Sequence, residues 1–315
     1  MAKLKGLLLT EGMHGMISQV EGLAKSMDID FVHQKVELNY PWKLIPPKIT
    51  PIKKFVFKKF ESQNFDIIIS CGRKSVIPSI FLKKNSIKKV HNIHIQDPKV
   101  SINNFDFIIV PEHDDLKGKN VISSKGAIHY LTEDEIKNNH DYLLNKISND
   151  KNCILLILGG PNKYYEYNDK NIKSIYDKVK KIILKNNLQL IVIPSMRTPQ
   201  RAINLAFDYF DKDNIVIKNT DKKAYLSALS IAKHIIVTCD STSMISESAL
   251  TGKPIYIAEI PSKKNDRRFK EFRKLFKNLN IIRSLDENIE NWNYEKLDET
   301  NRIANILKKK LLDVI

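Results

Sequence analysis

Three short loops in the second half of the chain carry residue types suited to holding a diphosphate. They are Leu158-Gly159-Gly160-Pro161-Asn162, Pro194-Ser195-Met196-Arg197-Thr198-Pro199 and Thr238-Cys239-Asp240-Ser241-Thr242-Ser243. Each follows an apolar, strand-like run. In a parallel α/β sheet such loops gather at the carboxyl edge, where ligands bind. Gly159 and Gly160 offer backbone that a ligand could approach closely. Arg197 offers a guanidinium matched to phosphate oxygens. Ser241 and Ser243 open a helix whose free N–H groups favour an anion. Glu247, one to two turns further on, could reach a ribose or hexose hydroxyl or simply face solvent. An ordinary N-capped helix fits the third loop equally well. No GxGxxG and no GxxxxGK[ST] is present, which weakens dinucleotide and P-loop readings.

The first half offers acid–base chemistry. Thr10-Glu11-Gly12-Met13-His14-Gly15 follows the first strand and opens a helix, with Gly12 and Gly15 permitting a tight turn. His14 is a candidate base by residue type, although a lone loop histidine is more often solvated. Pro111-Glu112-His113-Asp114 follows another strand, and its acid–His–acid cluster suits proton transfer or a local turn network. Gln96-Asp97-Pro98 is a third loop of this kind. His91, His94 and His129 lack metal-ligand spacing with any Cys or carboxylate pair, so no metal site is expected.

The elements that must position these loops are legible as periodicity. Strand-like runs are Lys5–Leu9, Phe31–Leu38, Phe65–Ser70, Lys89–Ile95, Phe105–Val110 and Val121–Ser123, with a helix over Gly15–Met27. A charged helix over Glu133–Ile147 and a polar gap come next. Then the pattern restarts: strand Cys153–Leu158, helix Asn171–Asn187, strand Gln189–Pro194, short strand Asn214–Ile217 and helix Lys223–Ser230. His234–Val237, the hydroxyl-rich loop and helix, Gly252-Lys253-Pro254 and Ile255-Tyr256-Ile257 complete a βαβ unit. The restart predicts two Rossmann-like domains, residues 1–148 and 149–293. An amphipathic tail helix over 294–315 would follow and pack back across them.

The chain of 315 residues is 42% hydrophobic and 28% charged, a globular mixture. Its three cysteines are far apart, with no CxxC pair, which excludes a local zinc motif and argues for a reducing compartment. The apolar start is too short for a signal peptide, and no run approaches the ~20 residues of a membrane span. A cytoplasmic location, peripheral on the inner membrane, is expected. The formal net charge of +16 favours anionic partners, though an AT-rich coding sequence would also enrich Lys, Asn and Ile. Pro41–Phe60 holds six lysines and no acid, interleaved with Trp42, Phe55, Phe57 and Phe60, a mixture suited to an anionic membrane surface or to a proline-broken connector. Lys263–Lys277 holds eight basic residues against Asp266 and Glu271 and could border a phosphate pocket. Nucleic acid is disfavoured for both, since no RNA- or DNA-binding signature accompanies them.

Taken in order, these motifs resemble the plant elongated-mitochondria (mitochondrial fission) proteins and their bacterial homologues, which look like nucleotide-sugar glycosyltransferases of GT-B fold. The resemblance rests on Gly12-x-x-Gly15-x-x-x-Gln19-x-x-Gly22-Leu23-Ala24, Pro41-Trp42, Pro111-Glu112-His113-Asp114, Asn120-Val121-Ile122 and Gly126-Ala127-Ile128-His129. It continues through Gly159-Gly160, Ser195-Met196-Arg197-Thr198-Pro199, Asp240-Ser241-x-Ser243-Met244-x-x-Glu247 and Thr251-Gly252-Lys253-Pro254. It implies an α/β, GT-B-like fold in which two Rossmann-like domains with parallel sheets face a central cleft. It also implies a donor pocket lined by Gly159, Gly160, Ser195, Arg197, Thr198, Asp240, Ser241, Ser243 and Glu247. Gly12, Gly15 and Gln19 would form an acceptor-side loop, with Glu112, His113, Asp114 or His14 as base. Ser18, Met196 and Cys239 depart from the family pattern, where asparagine, a second arginine and glycine are usual.

The expectation is a metal-independent glycosyltransferase with no tightly bound cofactor, using a nucleotide-diphosphate-sugar donor and a membrane or envelope-glycan acceptor. A non-catalytic GT-B-like scaffold at the membrane is the alternative, with a nucleotide-sugar epimerase third.

Overall fold

The computed structural model describes residues 3–58, 60, 64–148, 150–210 and 212–312. Lys59 of the first basic cluster, Asn149 at the expected domain boundary and the end of the expected tail helix, 313–315, lie outside the described residues.

Two compact units emerge, Met1–Tyr130 with Asp298–Ile315, and Leu131–Leu297. The first contains β1 (Lys5–Thr10), α1 (His14–Ser26), β2 (Asp30–Lys35), β3 (Ile67–Cys71), α2 (Val76–Lys84), β4 (His91–Ile95), β5 (Phe107–Pro111) and β6 (Val121–Ser124). Its six strands are all parallel, in the order β2-β1-β3-β4-β5-β6. β3 and β4 are buried at every position, as expected of parallel strands covered on both faces. β2 ends at Lys35, short of the expected Leu38; Leu38 instead bridges antiparallel to Phe57.

The second unit opens with α3 (Glu133–Asn138). It continues with β7 (Asn152–Leu158), α4 (Asp169–Lys185), β8 (Leu188–Pro194), α5 (Gln200–Tyr209), β9 (Ile215–Val216), α6 (Lys222–Ile231), β10 (His234–Thr238), α7 (Thr242–Ala249), β11 (Ile255–Ala258), α8 (Arg267–Asn278) and β12 (Ile282–Ser284). Its strands are parallel in the order β12-β11-β10-β7-β8-β9. The chain then returns to the first unit as α9 (Glu299–Leu312).

The division falls between Tyr130 and Leu131, ahead of the expected residue 148. The cause is local. The expected helix Glu133–Ile147 stops at Asn138, where the Asn139 side chain donates to the Glu135 carbonyl at 2.8 Å. Single turns at His140–Tyr142 and Leu144–Lys146 replace it. They are pinned to α6: the Ser227 hydroxyl donates to the His140 carbonyl and accepts the Leu143 N–H. This stretch therefore belongs to the second unit. The tail helix begins at Glu299, later than expected, and buries Ile303, Ala304 and Leu307 in the first unit's core beside Val20, Leu23 and Ala24 of α1. The opposite face of that sheet is covered by α2 and by Val56 and Phe57.

Strand order fixes where loops converge. In the first sheet the winding reverses between β1 and β3, and in the second between β7 and β10. Such reversals open the crevices that doubly wound sheets use for ligands.

Candidate functional site

The reversal in the second unit lies where the loops after β7 and β10 begin, with the loop after β8 alongside. The Gly159 N–H donates to the Thr238 hydroxyl at 2.8 Å and the Gly160 N–H to Asp240 Oδ2 at 2.9 Å. The Ser195 hydroxyl donates to the Gly159 carbonyl at 2.9 Å, and the Thr198 hydroxyl to the same oxygen at 2.6 Å. Arg197 donates from Nη1 to the Gly160 carbonyl at 3.2 Å and from Nη2 to Asp240 Oδ2 at 3.3 Å. The three loops thus form one network, and Arg197 is its outward-facing cation, with 44% of its side chain exposed.

Two expectations need correction. The space that a ligand was expected to use beside the glycines is filled by protein. A Cβ on Gly159 would lie 2.2 Å from Asp240 Oδ2, and one on Gly160 would lie 2.2 Å from the Arg197 carbonyl. The glycines are required so that three loops can touch. Asp240, in turn, does not line an open pocket. Its side chain is 0% exposed and is consumed by Gly160, Arg197 and the Tyr167 hydroxyl, which donates to Oδ1 at 2.5 Å. It holds Arg197 in place.

Ser241 caps α7 by accepting the Met244 N–H at 3.4 Å. Thr242 and Ser243 are half-buried, and among the described residues neither hydroxyl has a protein partner. Glu247 lies one helical turn beyond Ser243, on the same face. Its Oε2 accepts the Tyr225 hydroxyl at 2.8 Å, and burial pushes its carboxyl up to about 7. Lys253 does not reach this edge. Its amine donates to the Leu229 and Ser230 carbonyls at the end of α6, and burial lowers it to about 8.

Sequence reasoning missed Tyr167 and Tyr225, whose partners lie far along the chain with no fixed spacing to reveal them. It read Lys263–Lys277 as a charge cluster that could border a phosphate pocket, without singling out any residue of it. There, Arg273 turns inward and donates to the Cys239 carbonyl at 3.3 Å and to Tyr165 Oη at 3.1 Å, beside Asp266 and Glu259. Lys263 and Lys270 pair with Glu166 and Asp266. The cluster does border the loop after β10, but through one arginine, and Lys263, Lys270 and Arg273 are each paired with carboxylates.

In the first unit the reversal between β1 and β3 is closed by an ion pair. Glu11 accepts the Lys74 N–H at 3.1 Å and binds its amine at 3.0 Å. Gly12 sits at φ +85°, and Gly12, His14 and Gly15 are exposed. His14 Nε2 is 3.3 Å from the Tyr130 hydroxyl, and Gln19 accepts the Cys71 thiol at 3.3 Å. Glu112–Asp114 form a single turn after β5, with Glu112 exposed and His113 Nε2 3.8 Å from Asp114 Oδ1. Gln96 follows β4 with φ +90°, a strained value for a residue with a side chain. Among the described residues no group of three or more His, Cys, Asp or Glu could hold a metal ion.

A family model described as "Mitochondrial fission ELM1" matches residues 14–311. The chain belongs to the mitochondrial fission ELM1 family. Two relatives place it further. An uncharacterized protein of Rickettsia prowazekii is 27% identical over 288 residues, spanning 77% of this chain and 79% of that protein. The "Mitochondrial fission protein ELM1" of Arabidopsis thaliana is 23% identical over 284 residues, spanning 80% of this chain and 65% of the plant protein. Among solved structures, UDP-GlcNAc 2-epimerase from Methanocaldococcus jannaschii is similar at a TM-score of 0.53 and 15% identity, covering 98% of this chain and 100% of that one. UDP-GlcNAc 2-epimerase from Neisseria meningitidis, a structure bound to UDP-GlcNAc, is similar at 0.51 and 12%, covering 99% and 100%. At these identities the likeness is one of fold: this ELM1-family chain has the two Rossmann-like units of the GT-B class, each with a six-stranded parallel sheet.

Proposed function

We propose that this ELM1-family protein binds a nucleoside-diphosphate sugar on the carboxyl edge of its second sheet and transfers the sugar to an acceptor hydroxyl without a metal. The observation that carries this reading is the anchored, outward-facing guanidinium of Arg197 at the β7/β10 reversal, beside the helix that starts with Thr242 and Ser243. Arg197, the first N–H groups of α7 and these hydroxyls would meet the diphosphate, and Glu247 would meet a sugar or ribose hydroxyl. In transfer, the bond from the anomeric carbon to the diphosphate breaks and a bond to the acceptor oxygen forms. The nucleoside diphosphate departs with the negative charge, which Arg197 and the helix N-terminus stabilise. The acceptor's proton passes to a base, for which Glu112, His113, Asp114 and His14 are the proposed set. The fold likeness to UDP-GlcNAc 2-epimerases supports a sugar-nucleotide ligand and leaves epimerisation as a rival chemistry.

A non-catalytic scaffold is the second reading. It is favoured by the buried Asp240 carboxylate, which offsets the Arg197 charge where a diphosphate would sit. A thermal-shift series of the purified protein with nucleoside diphosphates and their sugars separates the two. Stabilisation by one nucleotide, lost in Arg197→Ala, supports the donor site. No stabilisation by any of them rejects it in favour of the scaffold.

A further inference from the structure

The first unit carries a closed loop that the sugar-nucleotide reading does not use. Residues 39–56 leave and rejoin the unit at a clasp: the Asn39 N–H donates to the Val56 carbonyl, its side-chain amide to the Phe55 carbonyl, and Leu38 bridges Phe57. Inside the clasp the loop is stiffened by Pro41, Pro46, Pro47 and Pro51, each with a fixed φ. Turns at Pro47–Ile49 and Lys54–Val56 shape it further. The Arg73 guanidinium donates to the Lys43 carbonyl at 2.9 Å and ties its middle to the loop after β3. Within the loop, Pro47, Thr50 and Val56 are buried.

This rigid loop turns large apolar side chains toward water. Tyr40 is 75% exposed, Leu44 67%, Ile49 70% and Phe55 60%. Between them stand the exposed Lys43, Lys48, Lys53 and Lys54, none of which forms an ion pair among the described residues. The nearest acid in sequence, Glu37, lies outside the clasp and is paired with Lys58.

We infer that loop 39–56 is a membrane-docking element whose apolar tips enter the headgroup region of an anionic bilayer while its lysines engage lipid phosphates. Two features favour this partner. Exposed apolar and cationic residues alternate along the loop without any acid, so the same segment meets both the hydrophobic and the electrostatic demands of an anionic interface. The tips include aliphatic Leu44 and Ile49, which offer no stacking platform to nucleic-acid bases. The prolines and clasp fix the loop beforehand, so little ordering is lost on binding. None of the loop's residues belongs to the proposed sugar-nucleotide site.

The test is sedimentation of the full chain with phosphatidylcholine vesicles, with and without phosphatidylglycerol, and a parallel titration with single-stranded RNA. Two variants accompany it, Leu44→Ser/Phe55→Ser and Lys48→Glu/Lys53→Glu/Lys54→Glu. All five positions are exposed, and an unchanged melting temperature shows that each variant folds. Trp42, whose ring lies 6.0 Å from that of Phe55, serves as a local reporter through quenching by brominated lipid. The expected result is salt-sensitive binding to phosphatidylglycerol vesicles alone, weakened about tenfold or more in each variant, with Trp42 quenched. Absence of vesicle binding, binding that both variants retain, or tighter binding to RNA than to vesicles would overturn it.

Discussion

Arg197 and Asp240 are joined at 3.3 Å between Nη2 and Oδ2, and the same guanidinium reaches the Gly160 carbonyl through Nη1. One planar group therefore spans acceptors on two loops while part of it stays in solvent. Asp240 can do this because it is buried and fixed by Tyr167 and Gly160. Its role is to aim the arginine, and the exposed part of Arg197 is what remains for a ligand.

A lysine cannot reproduce that span, because an ammonium is a point charge without the fork. In Arg197→Lys the nucleotide-induced rise in melting temperature should fall to less than about half of the wild-type value, while the unliganded protein melts within about 2 °C of wild type. A lysine variant that responds fully to nucleotide would show that charge alone suffices and that the anchoring is incidental.

Gly159 is a packing requirement of the same network. A methyl there would sit 2.2 Å from a buried carboxylate that has nowhere to move. Gly159→Ala is expected to cost about 1–3 kcal/mol in urea unfolding and to displace Asp240, and so to weaken nucleotide binding as well. Stability within about 0.5 kcal/mol of wild type would mean that the loops yield more easily than their contacts imply.

The apolar runs Ile67-Ile68-Ile69 and Cys153–Leu158 announced buried parallel strands, because such strands are covered on both faces and carry no alternation. The loops after β7, β8 and β10 were legible for the same reason: once strands are placed, their carboxyl ends are placed. What joins the loops was not legible. Tyr167 reaches Thr238 and Asp240 across more than seventy residues, and nothing in local spacing encodes that. α2 carries Pro78 and begins among buried residues, so it lacks the apolar–polar alternation that marks a surface helix. α8 was hidden by its charge, since only Phe272 and Phe276 are buried along it. The domain boundary moved because Ser227 captures residues 140–143, a tertiary contact that overrides the charged helical pattern.

Lys253 closes the end of α6, donating to the Leu229 carbonyl at 2.7 Å and the Ser230 carbonyl at 2.5 Å. Burial lowers its amine from 10.5 to about 8. The folded chain therefore binds fewer protons than the unfolded chain between those values, and stability from this group rises as pH climbs from 8 toward 10.5. Lys253→Met should lose about 1–3 kcal/mol at pH 9.5 by stranding two carbonyls, should lose less at pH 7, where the buried ammonium it removes carries its own cost, and so should flatten that rise. Urea midpoints at pH 7 and pH 9.5 measure both. A variant as stable as wild type would show that water caps the helix equally well.

Glu247 carries the opposite sign. Burial raises its carboxyl from 4.5 to about 7, despite the hydrogen bond from Tyr225 that favours the charged form. The folded chain then binds more protons than the unfolded chain between those values. The cost of charging Glu247 is absent below about pH 4.5, grows through the window and is complete above about pH 7. Glu247→Gln keeps the shape and an acceptor for Tyr225 but never charges. It should match wild type at pH 4 within about 0.5 kcal/mol and exceed it by about 1–3 kcal/mol at pH 8. If Glu247 also receives a ligand hydroxyl, the same variant should lose part of the nucleotide-sugar response at pH 8 while gaining stability. A stabilised variant with an intact ligand response would confine Glu247 to the packing of α7 on α6.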